Sequence, residues 1–116
     1  MGNRAVGAWG EEVVAERYAQ DGFEVIARNW RVRDGEIDIV ALRGDLLVVC
    51  EVKTRSRTDF GVPGFAVTAA KQRRIRRLAA RFVNETALRG VRIRFDVAEV
   101  VGHPRSFSVN VIPSAF

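Results

Sequence analysis

The chain has few of the residues that staple small folds or build metal clusters. Its 116 residues include one cysteine, one histidine, three prolines and one methionine. A lone cysteine excludes a disulfide framework and a cysteine-rich metal site. Cys50 lies within an apolar run and reads as a small core residue, and His103 has no second histidine at ligand spacing and takes no role. No run approaches the roughly 18–20 apolar residues of a membrane span, and the start of the chain lacks the apolar core of a signal peptide. These absences lead us to expect a soluble cytoplasmic protein without a membrane partner.

A composition of 47% hydrophobic and 28% charged residues is that of a globular chain, and the length suits one domain over 1–116. The formal net charge is +5. It is localised: residues 67–90 hold seven basic side chains against one acid, whereas the rest of the chain holds 12 basic and 13 acidic ones. A basic stripe of this kind suits a polyanion such as nucleic acid, and less often an acidic membrane surface.

Hydrophobic spacing predicts a helix over 6–21, stopped at Asp21-Gly22, and a strand over 23–31. Residues 35–53 read as a hairpin. The Gly, Pro and charged residues of 55–64 read as an exposed loop. A second helix is predicted from an N-cap at Thr68 to about Leu88, and strands over 91–101 and 106–112. The order α-β-β-β-α-β-β implies one sheet flanked by helices, an α/β fold. The link from the third strand through the second helix suits a parallel crossover.

The hairpin raises a chemical question. With Gly44-Asp45 as a two-residue loop, Val40 faces Val49, Asp38 faces Glu51, and Glu36 faces Lys53. Alternation then places these six on one face, and Ile37, Ile39, Ala41, Val48, Cys50 and Val52 on the other. Opposed carboxylates are destabilising. Two remedies fit: a divalent cation such as Mg²⁺ or Mn²⁺, or an ion-pair network through Lys53 or an arginine.

Helical spacing puts Glu11 on the inner stripe of Val14, Ala15 and Tyr18, with Glu12 and Glu16 to the side. Glu11 therefore needs a partner, either a shared cation or an arginine. Gly7 and Gly10 allow close backbone approach or are ordinary glycines. In the second helix Ile75, Leu78, Ala79 and Phe82 form a buried stripe, and Arg73, Arg74, Arg76, Arg77 and Arg81 cover the rest. Lys71 lies in line with the apolar stripe and opposes the helix dipole. Either it reaches the rim of the acidic site, or its stem packs while its ammonium reaches solvent.

Asp38, a hairpin, then Glu51-Val52-Lys53 resembles the D…(D/E)-x-K signature of the PD-(D/E)xK nuclease superfamily. The blocks "GAWGEEVVA", "RNWRVRDGEIDIVA", "LLVVCEVKTR", "FG", "AVTAAKQRRIRRLA" and "RFDV" together resemble the YraN-like family of bacterial proteins, similar to archaeal Holliday-junction resolvases. The resemblance spans roughly residues 7–97. It implies a restriction-endonuclease-like α-β-β-β-α-β core with a mixed central sheet. It also implies metal-binding roles for Asp38, Glu51 and the Val52 carbonyl, with Lys53 acting on the attacking water and Glu11 as the helix-one acid. The superfamily's proline is absent, since Ile37 precedes Asp38.

By this resemblance the chain is a Mg²⁺- or Mn²⁺-dependent endonuclease, cutting branched or damaged DNA to leave 5′-phosphate and 3′-hydroxyl ends. Resolvases act as dimers, so a homodimer is admitted, although no interface is legible. Arg55, Arg57, Lys71, Arg74, Arg77 and Arg81 are the expected contacts to nucleic-acid phosphates. Trp9, Trp30 and Phe60 either stack on bases or pack in the core, with packing favoured for at least two. Glu36 would restrain Lys53, and Asp96 either assists the site or, as favoured, pairs structurally with Arg94. The competing readings are a nucleic-acid-binding module with the nuclease fold but little turnover, and a protein-interaction subunit using its basic helix.

Overall fold

A computed structural model describes residues 2–56 and 67–116. The elements follow the expected order: α1 (Asn3–Gln20), β1 (Glu24–Val32), β2 (Gly35–Arg43), β3 (Leu46–Arg55), α2 (Ala69–Glu85), β4 (Arg92–His103) and β5 (Ser106–Ile112). One sheet in the order β1-β2-β3-β4-β5 contains every strand. Among the described residues only β3 and β4 are parallel, with Leu46 beside Arg92 and Arg55 beside Val101 at the two ends of their ladder. This mixed sheet with its flanking helices is the restriction-endonuclease-like core expected from the sequence. Arg57, Phe60 and most of the 55–64 loop lie outside the described residues.

Local chemistry explains the boundaries. Thr68 caps α2, its hydroxyl accepting the Lys71 amide at 3.2 Å. The helix stops at Glu85, short of the expected Leu88, because Ala87 takes a left-handed φ of 55°. The helix α1 begins three residues earlier than its hydrophobic spacing suggests. Gly44 has a φ of 60° and Asp45 has no positive φ, the pattern of a type II′ turn. That turn sets the β2–β3 register as expected, with Arg43 beside Leu46 and Val40 beside Val49. Asp45 then ties the turn to β4, accepting from Arg92 through both carboxylate oxygens.

Two apolar clusters lie on opposite faces of the sheet. Val14, Ala15 and Tyr18 of α1 pack on Ile39, Ala41, Val48 and Cys50. Ile75, Leu78, Ala79 and Phe82 of α2 pack on Ile37, Val40, Leu47 and Val49. Ile37 therefore belongs to the α2 face, not to the face of Ile39 as simple alternation required. The reversal has a partner across the ladder. Arg28 beside Ile39 reaches Glu12 of α1, whereas Trp30 beside Ile37 packs edge-on against Phe82 of α2. Between them Asn29 adopts a left-handed φ of 50°, and such a residue re-aims the side chains that follow it.

Asp96 is structural. It is fully buried, paired with Arg94 by two hydrogen bonds of 2.9 Å, and accepts from the Tyr18 hydroxyl at 2.7 Å and the Ser114 amide at 3.1 Å. Every lone pair that points inward is engaged, so the charge is compensated as burial requires. Asp96→Ala is expected to reduce unfolding free energy by about 3–5 kcal/mol in urea titrations, because it strands a guanidinium and a phenol.

Candidate active site

The paired β2–β3 register ends at Ile39 beside Cys50. Beyond it the strands diverge where β2 reverses its faces, and the direct Asp38–Glu51 and Glu36–Lys53 pairings read from the sequence do not form part of the ladder. Asp38 instead turns a carboxylate oxygen onto the Val52 amide, which donates at 2.8 Å. A side chain thus takes the place of the missing ladder partner. Glu36 is drawn to Arg31, its neighbour on β1, in an ion pair of 2.7 Å rather than to Lys53.

The acids nevertheless converge. Glu11, Glu36, Asp38, Glu51 and Val52 line a cavity of about 380 Å³ on the α1 side of the strand ends. A second cavity of about 210 Å³ on the α2 side is lined by Glu36, Asp38, Glu51, Lys71 and Arg74. Glu36, Asp38 and Glu51 line both, so the two cavities meet at these acids in one acid-lined passage. Glu11 reaches it from α1, whereas Glu12 is occupied on the side by Arg28 at 2.7 Å. Gly10 is buried against Thr54 of β3, and a Cβ there would overlap the threonine hydroxyl. That contact holds α1 close enough for Glu11 to line the passage.

Two ammonium groups share one oxygen of Glu51. Lys71 Nζ stands 2.6 Å from Oε1, and Lys53 Nζ stands 3.5 Å from the same atom. Asp38 makes no ion pair among the described residues. Burial, then the Glu51 charge, push its carboxyl up to about 7 against the partial relief of the Val52 amide. Burial and the neighbouring Lys71 depress the Lys53 ammonium. For Lys71, burial is the largest single influence and pulls downward, but the hydrogen bonds to Glu51 and Lys53 and the charges of Glu51 and Asp38 together outweigh it, and the net shift is upward. Among the described residues no group of three or more His, Cys, Asp or Glu side chains is placed to hold a metal ion.

The residues expected at phosphates divide. Lys71 is committed to Glu51. Arg55 pairs with Glu99 of β4 at 2.9 Å and keeps a buried Nε without a hydrogen-bond partner, so it is held inside the fold. Arg81 pairs with Glu85 one turn on at 2.9 Å. Arg74 and Arg77 are exposed and make no ion pair among the described residues. Lys71, Arg74, Arg77 and Arg81 follow one another at helical spacing, a basic row leading from the passage along α2. Arg76 departs from the row and lies 4.6 Å over the Phe95 ring. Trp9 and Trp30 both pack edge-on against phenylalanines, Phe107 and Phe82.

Sequence reasoning missed Glu99. It is a buried acid beside Lys53 in the parallel β3–β4 register, and it holds Arg55. An acid within the otherwise apolar stretch of 97–101 was the available signal.

Residues 10–100 match the model of the uncharacterised protein family UPF0102. The chain belongs to that family. A UPF0102 protein of a Parafrankia species is 53% identical over 98 residues, covering 84% of this chain and 83% of that one. One from Rhodococcus opacus is 44% identical over 115 residues, 98% of each chain, and one from Dictyoglomus turgidum is 41% identical over the full length of both. UPF0102 is the YraN-like family whose sequence blocks this chain carries, and the fold of this member is nuclease-like. Among its described residues no helix is long and apolar enough to cross a membrane.

Proposed function

We propose that this UPF0102 protein is a divalent-metal-dependent endonuclease that hydrolyses phosphodiester bonds in DNA. The observation that carries the reading is the convergence of two largely buried carboxylates, Asp38 and Glu51, with Lys53 and Glu11 at the point where β2 and β3 part. The donor chemistry fits Mg²⁺ or Mn²⁺: carboxylate oxygens from Asp38 and Glu51, with the Val52 carbonyl as a further ligand. A raised carboxyl beside a second acid is also what a site built for a cation looks like without one. When bound, the metal supplies Lewis acidity to a phosphate oxygen.

The chain's own groups supply the rest. Lys53 holds the attacking water and a non-bridging phosphate oxygen, where its charge offsets that developing on phosphorus. Glu11 enters from the opposite side of the passage and accepts a hydrogen bond from the water, fixing its line of attack. Water oxygen bonds to phosphorus and the bond to O3′ breaks. The water's proton is lost and O3′ gains one, leaving 5′-phosphate and 3′-hydroxyl ends. The Arg74–Arg77–Arg81 row meets backbone phosphates, so binding is salt-dependent and indifferent to sequence.

A second reading, a nucleic-acid-binding module with little turnover, is favoured by one observation: Glu51 already has a close cation in Lys71. The deciding experiment incubates the protein with duplex, single-stranded, flap and four-way-junction DNA, in Mg²⁺, Mn²⁺ or EDTA. Cutting in either metal and none in EDTA is the expected result. Salt-sensitive binding without cutting of any substrate would establish the binding module. Absence of DNA affinity at low salt would point to a protein partner.

A further inference from the structure

The third residue of a helix is where an acid is favoured, both for the dipole and for completing a capping box with the N-cap hydroxyl. In α2 that position, three residues after the cap Thr68, is Lys71, and the first turn contains no acid at all. The helix itself therefore gains nothing from this lysine's charge. Its ammonium is instead drawn into the passage and set 2.6 Å from Glu51 Oε1, closer than Lys53 to the same atom, with Glu51 itself only 14% exposed. Lys71 and Arg74 are the basic groups lining the α2-side cavity onto which Asp38 also opens.

From this geometry we infer that Lys71 and the divalent metal exchange at Glu51. The ammonium is a built-in counter-ion that holds the carboxylate when metal is absent and is displaced from it when metal enters. Freed from Glu51, Lys71 stands at the head of the Arg74–Arg77–Arg81 row, placed to meet a phosphate of the bound strand. It thereby becomes a positioning residue whose release is tied to metal occupancy. The inference rests on the two-carboxylate reading above.

The exchange gives opposite signs to two measurements on one variant. Lys71→Met keeps the apolar stem and removes the charge. In EDTA its melting temperature should fall, because Glu51 loses its nearer cation. In calorimetric titration with Mn²⁺ alone, without DNA, it should bind about tenfold more tightly than the native chain or better, because a like charge has left the site. Lys71→Arg keeps a competing cation and should titrate much as the native chain does. A purely structural lysine would lower stability and metal affinity together. If Mn²⁺ binding depends on Asp38, as shown by its loss in Asp38→Asn, yet is unchanged or weakened in Lys71→Met, the exchange is wrong and the metal site stands. If Asp38→Asn leaves Mn²⁺ affinity untouched, the metal-site reading fails and the exchange with it.

Discussion

Asp38→Asn should make the metal-free protein harder to melt at pH 8 while sharply reducing cleavage. Its carboxyl stands at about 7 in the folded chain against an ordinary value of 3.8, held up by burial and then by Glu51. Between those two values the unfolded chain releases a proton that the folded chain retains. Folding stability is therefore complete below the lower value and declines as pH rises through the upper one. The loss amounts to something on the order of 4 kcal/mol above pH 7. Asparagine has no proton to lose, and its carbonyl can still accept the Val52 amide.

The gain from Asp38→Asn should accordingly be largest at pH 8 and shrink toward pH 5. In the native chain Mg²⁺ should recover much of the difference by replacing the proton as the neutralising charge, whereas the variant should not respond to Mg²⁺. Loss of a metal-holding oxygen removes several kcal/mol of transition-state stabilisation, so cleavage should fall by about 10³-fold or more. Paired melting curves with and without Mg²⁺ at the two pH values, beside a cleavage time course, check all of this. A variant that cuts DNA normally would remove Asp38 from the site.

Gly10→Ala should destabilise the fold and damage the site through a contact that involves no charge. Alanine in an ordinary helix interior gains about 1 kcal/mol over glycine. Here its methyl would overlap the Thr54 hydroxyl and stand 3.0 Å from Thr54 Cβ and 3.2 Å from Cγ2. Overpacking of this kind costs about 1–3 kcal/mol, so a net loss of up to about 2 kcal/mol is expected. Movement of the helix off β3 to relieve the clash carries Glu11 away from the passage. A displacement of about 1 Å lowers cleavage by about 10²-fold. Adding Thr54→Ala removes the hydroxyl and methyl and should restore part of both losses, a coupling readable in a double-mutant cycle. A stabilised, fully active Gly10→Ala would show that α1 does not need the close approach.

How legible the fold was depends on the range over which each cause acts. Element order, the β2–β3 register near the turn and the choice of Glu11 over Glu12 follow from local periodicity and one glycine-led loop. The direct opposition of Asp38 to Glu51 failed because alternation was carried through a reversal. The reversal coincides with the left-handed Asn29 of the neighbouring strand β1, and a period-two reading of β2 alone cannot sense it. Lys71 was legible as a cation misplaced for its helix, whereas its seat on Glu51 arises from the packing of α2 against β2. Arg55 looked like a free basic residue because its partner, Glu99, belongs to a strand brought alongside by the crossover.

That crossover also orders the formation of the site in time. The hairpin of β2 and β3 closes over a two-residue turn and needs only neighbouring chain. Each partner in the β3–β4 ladder, in contrast, lies 46 residues away in sequence. Local pairings form early in folding, and parallel pairings across long separations form late because closure entropy comes due before the contacts form. Asp38 and Glu51 can therefore come together on a young hairpin while Glu99 has yet to reach Arg55 and α2 has yet to bring its lysine. For that interval the nascent hairpin carries two crowded acids without their counter-charges, and the arrival of β4 and α2 completes the electrostatics of the site as well as its walls.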